Sequence, residues 1–112
     1  MNKEFWEKLD KLAEQSEIVI DRPKGSAHPR YPEYIYPHDY GYFKDTVSAD
    51  DHEIDCWTGS LVEKKVVGIV VTVDLEKKDS EIKVLIGCSD NDMNDIENVH
   101  NRGQLSGMLI KR

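Results

Sequence analysis

The run KVVGIVVTVDL, Lys65 to Leu75, constrains the fold more than any other part of the chain. β-Branched residues occupy most of its positions, with no polar alternation until Thr72. Such a run suits a strand buried on both faces. A charged turn follows at Lys77 to Asp79, and EIKVLIG, Glu81 to Gly87, returns with Ile82, Val84 and Ile86 on one face. The two segments predict a β-hairpin that needs cover on both sides.

Two helices are predicted to supply cover. Asn2 can cap a helix running to Gln15, in which Phe5, Leu9 and Leu12 recur at helical spacing. Ser89 and Asp92 form a capping-box-like pair opening a second helix to Asn101, lined by Met93, Ile96 and Val99 and stopped by Gly103. Short strands are expected at Glu17 to Asp21, Ile54 to Thr58 and Gly107 to Lys111. All four prolines lie between Arg22 and Pro37, which makes that segment extended or turning. Strands outnumber helices, and the pattern predicts a mainly β, α+β single domain spanning residues 1–112, a small β-barrel flanked by an N-terminal and a C-terminal helix.

Charge narrows the partners. The chain has 22 acidic and 15 basic residues, a net charge of −7. A surface of that sign repels nucleic acid and anionic membranes. No apolar run is long enough to span a bilayer, and the N-terminus lacks a secretory pattern. Cys56 and Cys88 form no CxxC motif and suit buried, reduced thiols. The expected compartment is the cytoplasm, with no membrane or nucleic-acid partner; a homo-oligomer is left open.

The chemistry-bearing residues cluster between Asp21 and Asp79. Asp50, Asp51, His52, Glu53 and Asp55 crowd one short segment, and Asp74 and Asp79 flank the hairpin turn. Carboxylates this dense repel one another unless water or cations separate them. Hard divalent cations such as Mg²⁺, or Mn²⁺, take oxygen ligands and are commonly shared with substrate phosphates. Asp50, Asp55, Asp74 and Asp79 are therefore candidate metal ligands, expected to converge on one rim. Upstream, Arg22, Lys24, His28 and Arg30 suggest an anion clamp, with arginine as a planar fork and lysine as a point charge. Of the five tyrosines, Tyr40 is the candidate phosphate contact. His38 and His100 read as structural, whereas His52 lies inside the acidic cluster. Phosphate-loop, dinucleotide and serine-hydrolase motifs do not occur.

In order, IVIDRP, YPHDYGYFKDT, DDHEID and VGIVVTVDLEKKDSEIKV resemble the soluble family I inorganic pyrophosphatases over Ile18 to Val84. That family carries an I-E-I-P strand, a YP-x-x-YG turn, a DGDPxD signature and a later aspartate pair. The resemblance implies a five-stranded, OB-like closed barrel and a water held between divalent ions that attacks pyrophosphate. By it, Asp50, Asp55, Asp74 and Asp79 would be metal ligands, with Asp55 bridging. Asp21 would stand near the metals, Tyr40 on product phosphate and Arg30 on substrate phosphate. His52 replaces the signature aspartate that helps activate water, Glu53 replaces a proline, and Glu81 replaces a phosphate-binding lysine. The expected function is a divalent-metal-dependent phosphoanhydride hydrolase, an inorganic pyrophosphatase acting on a small anionic phosphate. His52 would be the base and Asp51 its alternative, because imidazole accepts protons near neutral pH. The other reading is a non-catalytic metal- or phosphate-binding relative, or a hydrolase of another phosphorylated metabolite.

Overall fold

The β-branched run forms an interior strand of the sheet.

 It is strand β4, Val66–Asp74, and its inner residues are buried on both faces. The computed structural model describes residues 2–112. The elements in chain order are α1 (Lys3–Glu14), β1 (Ile18–Arg22), β2 (Asp39–Phe43), β3 (Ile54–Thr58), β4, β5 (Asp79–Ile86), α2 (Asp90–Val99) and β6 (Leu105–Lys111). Both predicted helix caps form. The Asn2 side chain accepts from Phe5 N–H, and Ser89 and Asp92 close a full capping box.

The strands form one six-stranded sheet in the order β1-β2-β3-β5-β4-β6. Every neighbouring pair is antiparallel except β3 with β5, which run parallel. β1 pairs only with β2 and β6 only with β4, so the two edges never meet. The expected five-stranded closed barrel is therefore wrong, and the fold is an open mixed sheet with two helices. A barrel buries a single interior, whereas here each face of the sheet has its own core, one beneath each helix.

The second departure is β2. Asp39–Phe43 overlaps the YP-x-x-YG stretch that the resemblance makes a turn, yet it pairs on both sides, with β1 and with β3. Gly41 makes that possible, since a Cβ there would sit 1.9 Å from the Val19 carbonyl oxygen. β6 also starts earlier than expected, at Leu105.

Side chains alternate across the sheet, so the register sorts them. On one face Phe43, Cys56, Ile69, Val84 and Ile86 pack with Trp6, Leu9 and Ala13 of α1. On the other, Trp57, Val70 and Leu85 pack with Met93 and Ile96 of α2. No helix among the described residues is long and apolar enough to cross a membrane.

Candidate functional site

The face carrying α2 is only partly apolar. Along β5 it presents Asp79, Glu81, Lys83 and then Leu85, while the intervening Ile82, Val84 and Ile86 face the other way. Register places Asp55 of β3 beside Lys83, and Asp74 and Thr72 of β4 opposite Asp79 and Glu81. The apolar end of this face lies under α2. The polar end floors an open cleft of about 470 Å³. His28, Tyr31, Tyr34 and Tyr36, from the proline-rich segment, line it together with Asp74, Asp79, Glu81 and Arg102.

The deepest charge in the cleft is Lys83, 8% exposed. Its Nζ donates to Tyr40 Oη at 2.8 Å, Asp55 Oδ2 at 2.8 Å and Glu81 Oε2 at 3.0 Å. An ammonium has three N–H donors, and all three are used. Burial opposes the charge on Lys83, but Tyr40, Asp55 and Glu81 outweigh it and raise the pKa well above the usual lysine range. Tyr40 stays a phenol, held protonated first by burial and further by Asp55, against the pull of Lys83. The ammonium thus holds Asp55, the carboxylate that the resemblance would set between ions.

Asp74 and Asp79 close the hairpin as directly opposed residues, and both line the cleft. Neither has a basic partner within salt-bridge distance among the described residues. Asp74 Oδ1 accepts from the Glu76 and Lys77 amides, which fixes that carboxylate in place.

The other predicted ligands lie elsewhere. Asp50 is exposed, and its Oδ1 accepts from Ser48 Oγ and from the His52 amide. The Ser48 hydroxyl, then the His52 amide, holds its carboxyl down at about pKa 2. Asp50 and Asp55 border a second, mostly apolar groove of about 600 Å³ between α1 and Ile82; Asp79 and Glu81 sit between the two cavities and border both. Asp21 is exposed, 3.7 Å from the Arg22 guanidinium, and lines neither cavity. No three of Asp21, Asp50, Asp55, Asp74 and Asp79 bring ligand atoms within 4.8 Å of one another. His52 and Asp51 are exposed and line neither cavity, with Asp51 at φ 66°.

The expected anion clamp is dispersed. The Lys24 amide donates to Asp39, Arg30 lies over the Tyr31 ring at 5.5 Å, and Arg22 reaches toward Tyr36; none of the three lines the cleft. The cations at the cleft wall are instead Lys77 and Arg102, the latter 4.8 Å above the Tyr34 ring. His100 is buried beneath the cleft. Its Nε2 accepts from Trp57 Nε1 at 3.1 Å, while Nδ1 has no partner. Burial, aided by Lys83, lowers its pKa to about 3, so the ring is neutral.

Sequence reasoning missed Lys83, Arg102 and Thr72. The period-two pattern of β5 contained the signal for Lys83, because it opposes Ile82, Val84 and Ile86. Arg102 carried no comparable signal. Neither a protein-family model nor a curated protein sequence matches the chain.

Proposed function

We propose that this protein binds a phosphorylated small molecule in the cleft, bridged to Asp74 and Asp79 by a divalent cation such as Mg²⁺ or Mn²⁺. The observation that carries this reading is the opposed pair Asp74 and Asp79, which faces the cleft without a basic partner. Like charges directly opposite in a sheet are destabilising, and a cation between them removes the penalty. A hard cation there would also lend the net-negative cleft an affinity for phosphate oxygens. Lys83 adds nothing to phosphate directly, because its donors are spent on Tyr40, Asp55 and Glu81. Arg102 and the tyrosine wall would hold the rest of the ligand.

Hydrolysis needs a base within reach of the attacking water. His52 and Asp51 lie outside both cavities, which favours binding over turnover. A hydrolase is the second reading, favoured by Asp50, Asp55 and Asp79 bordering one groove. Titration calorimetry with pyrophosphate and nucleoside polyphosphates in Mg²⁺, run beside a phosphate-release assay, separates the two. The expected result is Mg²⁺-dependent binding that Asp74→Asn weakens, without release of phosphate. No binding in Mg²⁺, nor when Mn²⁺ replaces it, rejects the proposal. Phosphate release that falls by about 10²–10⁴ in His52→Ala would establish the hydrolase instead.

A further inference from the structure

A second group of ligating side chains lies apart from the cleft acids, at the start of α2. His38, 6% exposed, immediately precedes β2. Its Nε2 stands 3.1 Å from Asp95 Oδ2 and 3.5 Å from Asp92 Oδ1, and the three ligand atoms lie within 4.8 Å of one another. Asp92 and Asp95 are one helical turn apart and share a face of α2.

Asp92 is held in a fixed orientation. Its Oδ2 accepts from Ser60 N at 2.8 Å, Ser60 Oγ at 2.7 Å and Ser89 N at 3.0 Å. Gly59 allows this approach, because a Cβ there would meet Oδ2 at 2.7 Å. The side chain is 8% exposed, yet no hydrogen bond from the described residues reaches Oδ1, which points toward His38. That leaves Oδ1 free to ligate on the side facing His38. Asp95 is different, with 55% of its side chain exposed.

A buried imidazole, an oriented carboxylate and a solvent-facing carboxylate make three protein ligands with an open side toward water. Imidazole selects borderline transition metals over Mg²⁺ or Ca²⁺, and three ligands with an open position is a common zinc arrangement. Hydrogen bonds to the far oxygen of a ligating carboxylate are the usual outer support of such a site. We propose that His38, Asp92 and Asp95 bind one borderline divalent ion of the Zn²⁺ class, pinning the proline-rich segment to α2. This site is independent of the cleft reading.

Titrating the purified chain with Co²⁺, a spectroscopic stand-in for Zn²⁺, and following visible ligand-field absorption tests it. Competition with Zn²⁺ gives the affinity. Phosphate, which the cleft cation would bridge, is left out, and the first equivalent should give the spectrum of an imidazole-ligated ion. Asp95→Asn removes one of three direct ligands and should weaken binding by at least about tenfold, the lower end of the loss seen when even a supporting group is removed. Asp95 is largely exposed, so this variant should fold where His38→Ala could fail. Asp90→Asn, which removes an exposed carboxylate of the same helix outside both proposed sites, should bind as the wild type does. Absence of a Co²⁺ spectrum, or equal affinity in Asp95→Asn, would mean that His38 and Asp95 form only a hydrogen bond. A loss in Asp79→Asn with Asp95→Asn unaffected would assign the ion to the cleft and overturn the proposal.

Discussion

The two faces of the sheet are made by the same strands, yet they solve different problems. The face under α1 is continuous hydrocarbon from Phe43 through Cys56 and Val84 to Ile69. The face under α2 is hydrocarbon only as far as Trp57, Leu85 and Val70, and then changes to Tyr40, Asp55, Lys83, Glu81 and Asp79. Alternation along β5 makes both faces at once. The difference shows that β5 combines packing and chemistry without compromising either. Its Val84 and Ile86 side anchors the sheet, which lets Lys83 and Glu81 be held rigidly on the other.

The largest test of this contrast is Lys83→Met. It keeps the volume but strands Asp55 and Glu81 without their cation. Removing one partner of a buried ion pair should cost about 3–5 kcal/mol in urea unfolding. Adding Asp55→Asn and Glu81→Gln should recover much of that loss, which a purely hydrophobic role for the Lys83 stem would not allow. On the apolar face, Ile86→Val should cost only about 0.5–1.5 kcal/mol.

Next comes pH. His100 has a folded pKa near 3, against an ordinary value of 6.5. Its unfolded form binds protons more readily, so stability is complete above about pH 6.5 and falls as pH drops toward 3. The loss between pH 7 and pH 4 should be on the order of 3 kcal/mol from this group. His100→Gln should flatten that part of the profile, and an unchanged slope would move the effect to other groups.

Trp57→Phe probes the same contact from its donor side. It leaves His100 Nε2 without its hydrogen bond and should cost about 1–3 kcal/mol. The smallest effect is expected at the cleft mouth. Without metal, Asp79→Asn should stabilise the chain by about 0.2–1 kcal/mol, by relieving repulsion from Asp74.

Local pattern revealed most of the elements. Apolar spacing and caps gave α1 and α2, and the β-branched run gave the β4–β5 hairpin. β2 was hidden because Tyr40-Gly41-Tyr42 carries turn-forming composition, and its strand character comes from partners on either side. The open sheet was hidden for a related reason. The parallel pairing of β3 with β5 leaves β1 and β6 at opposite edges, and no local pattern encodes it. At the site, Asp74 and Asp79 were legible because one turn joins them. The Lys83 cluster was not, since it draws Tyr40 from β2 and Asp55 from β3. The anion clamp failed as a group because Lys24 and Arg30 sit on the outside of a loop whose rings, not its cations, face the cleft.

The central claim is that the polar end of this face holds a cation-bridged phosphate at Asp74 and Asp79. It is tested most directly by the melting temperature of the wild type and Asp79→Asn, each with and without millimolar Mg²⁺ and pyrophosphate. A ligand that binds only the folded state raises stability by RT ln(1 + [L]/Kd). The wild type should melt higher when both are present, and Asp79→Asn should lose that rise. A wild type that does not respond, or a rise that Asp79→Asn retains in full, would contradict the account.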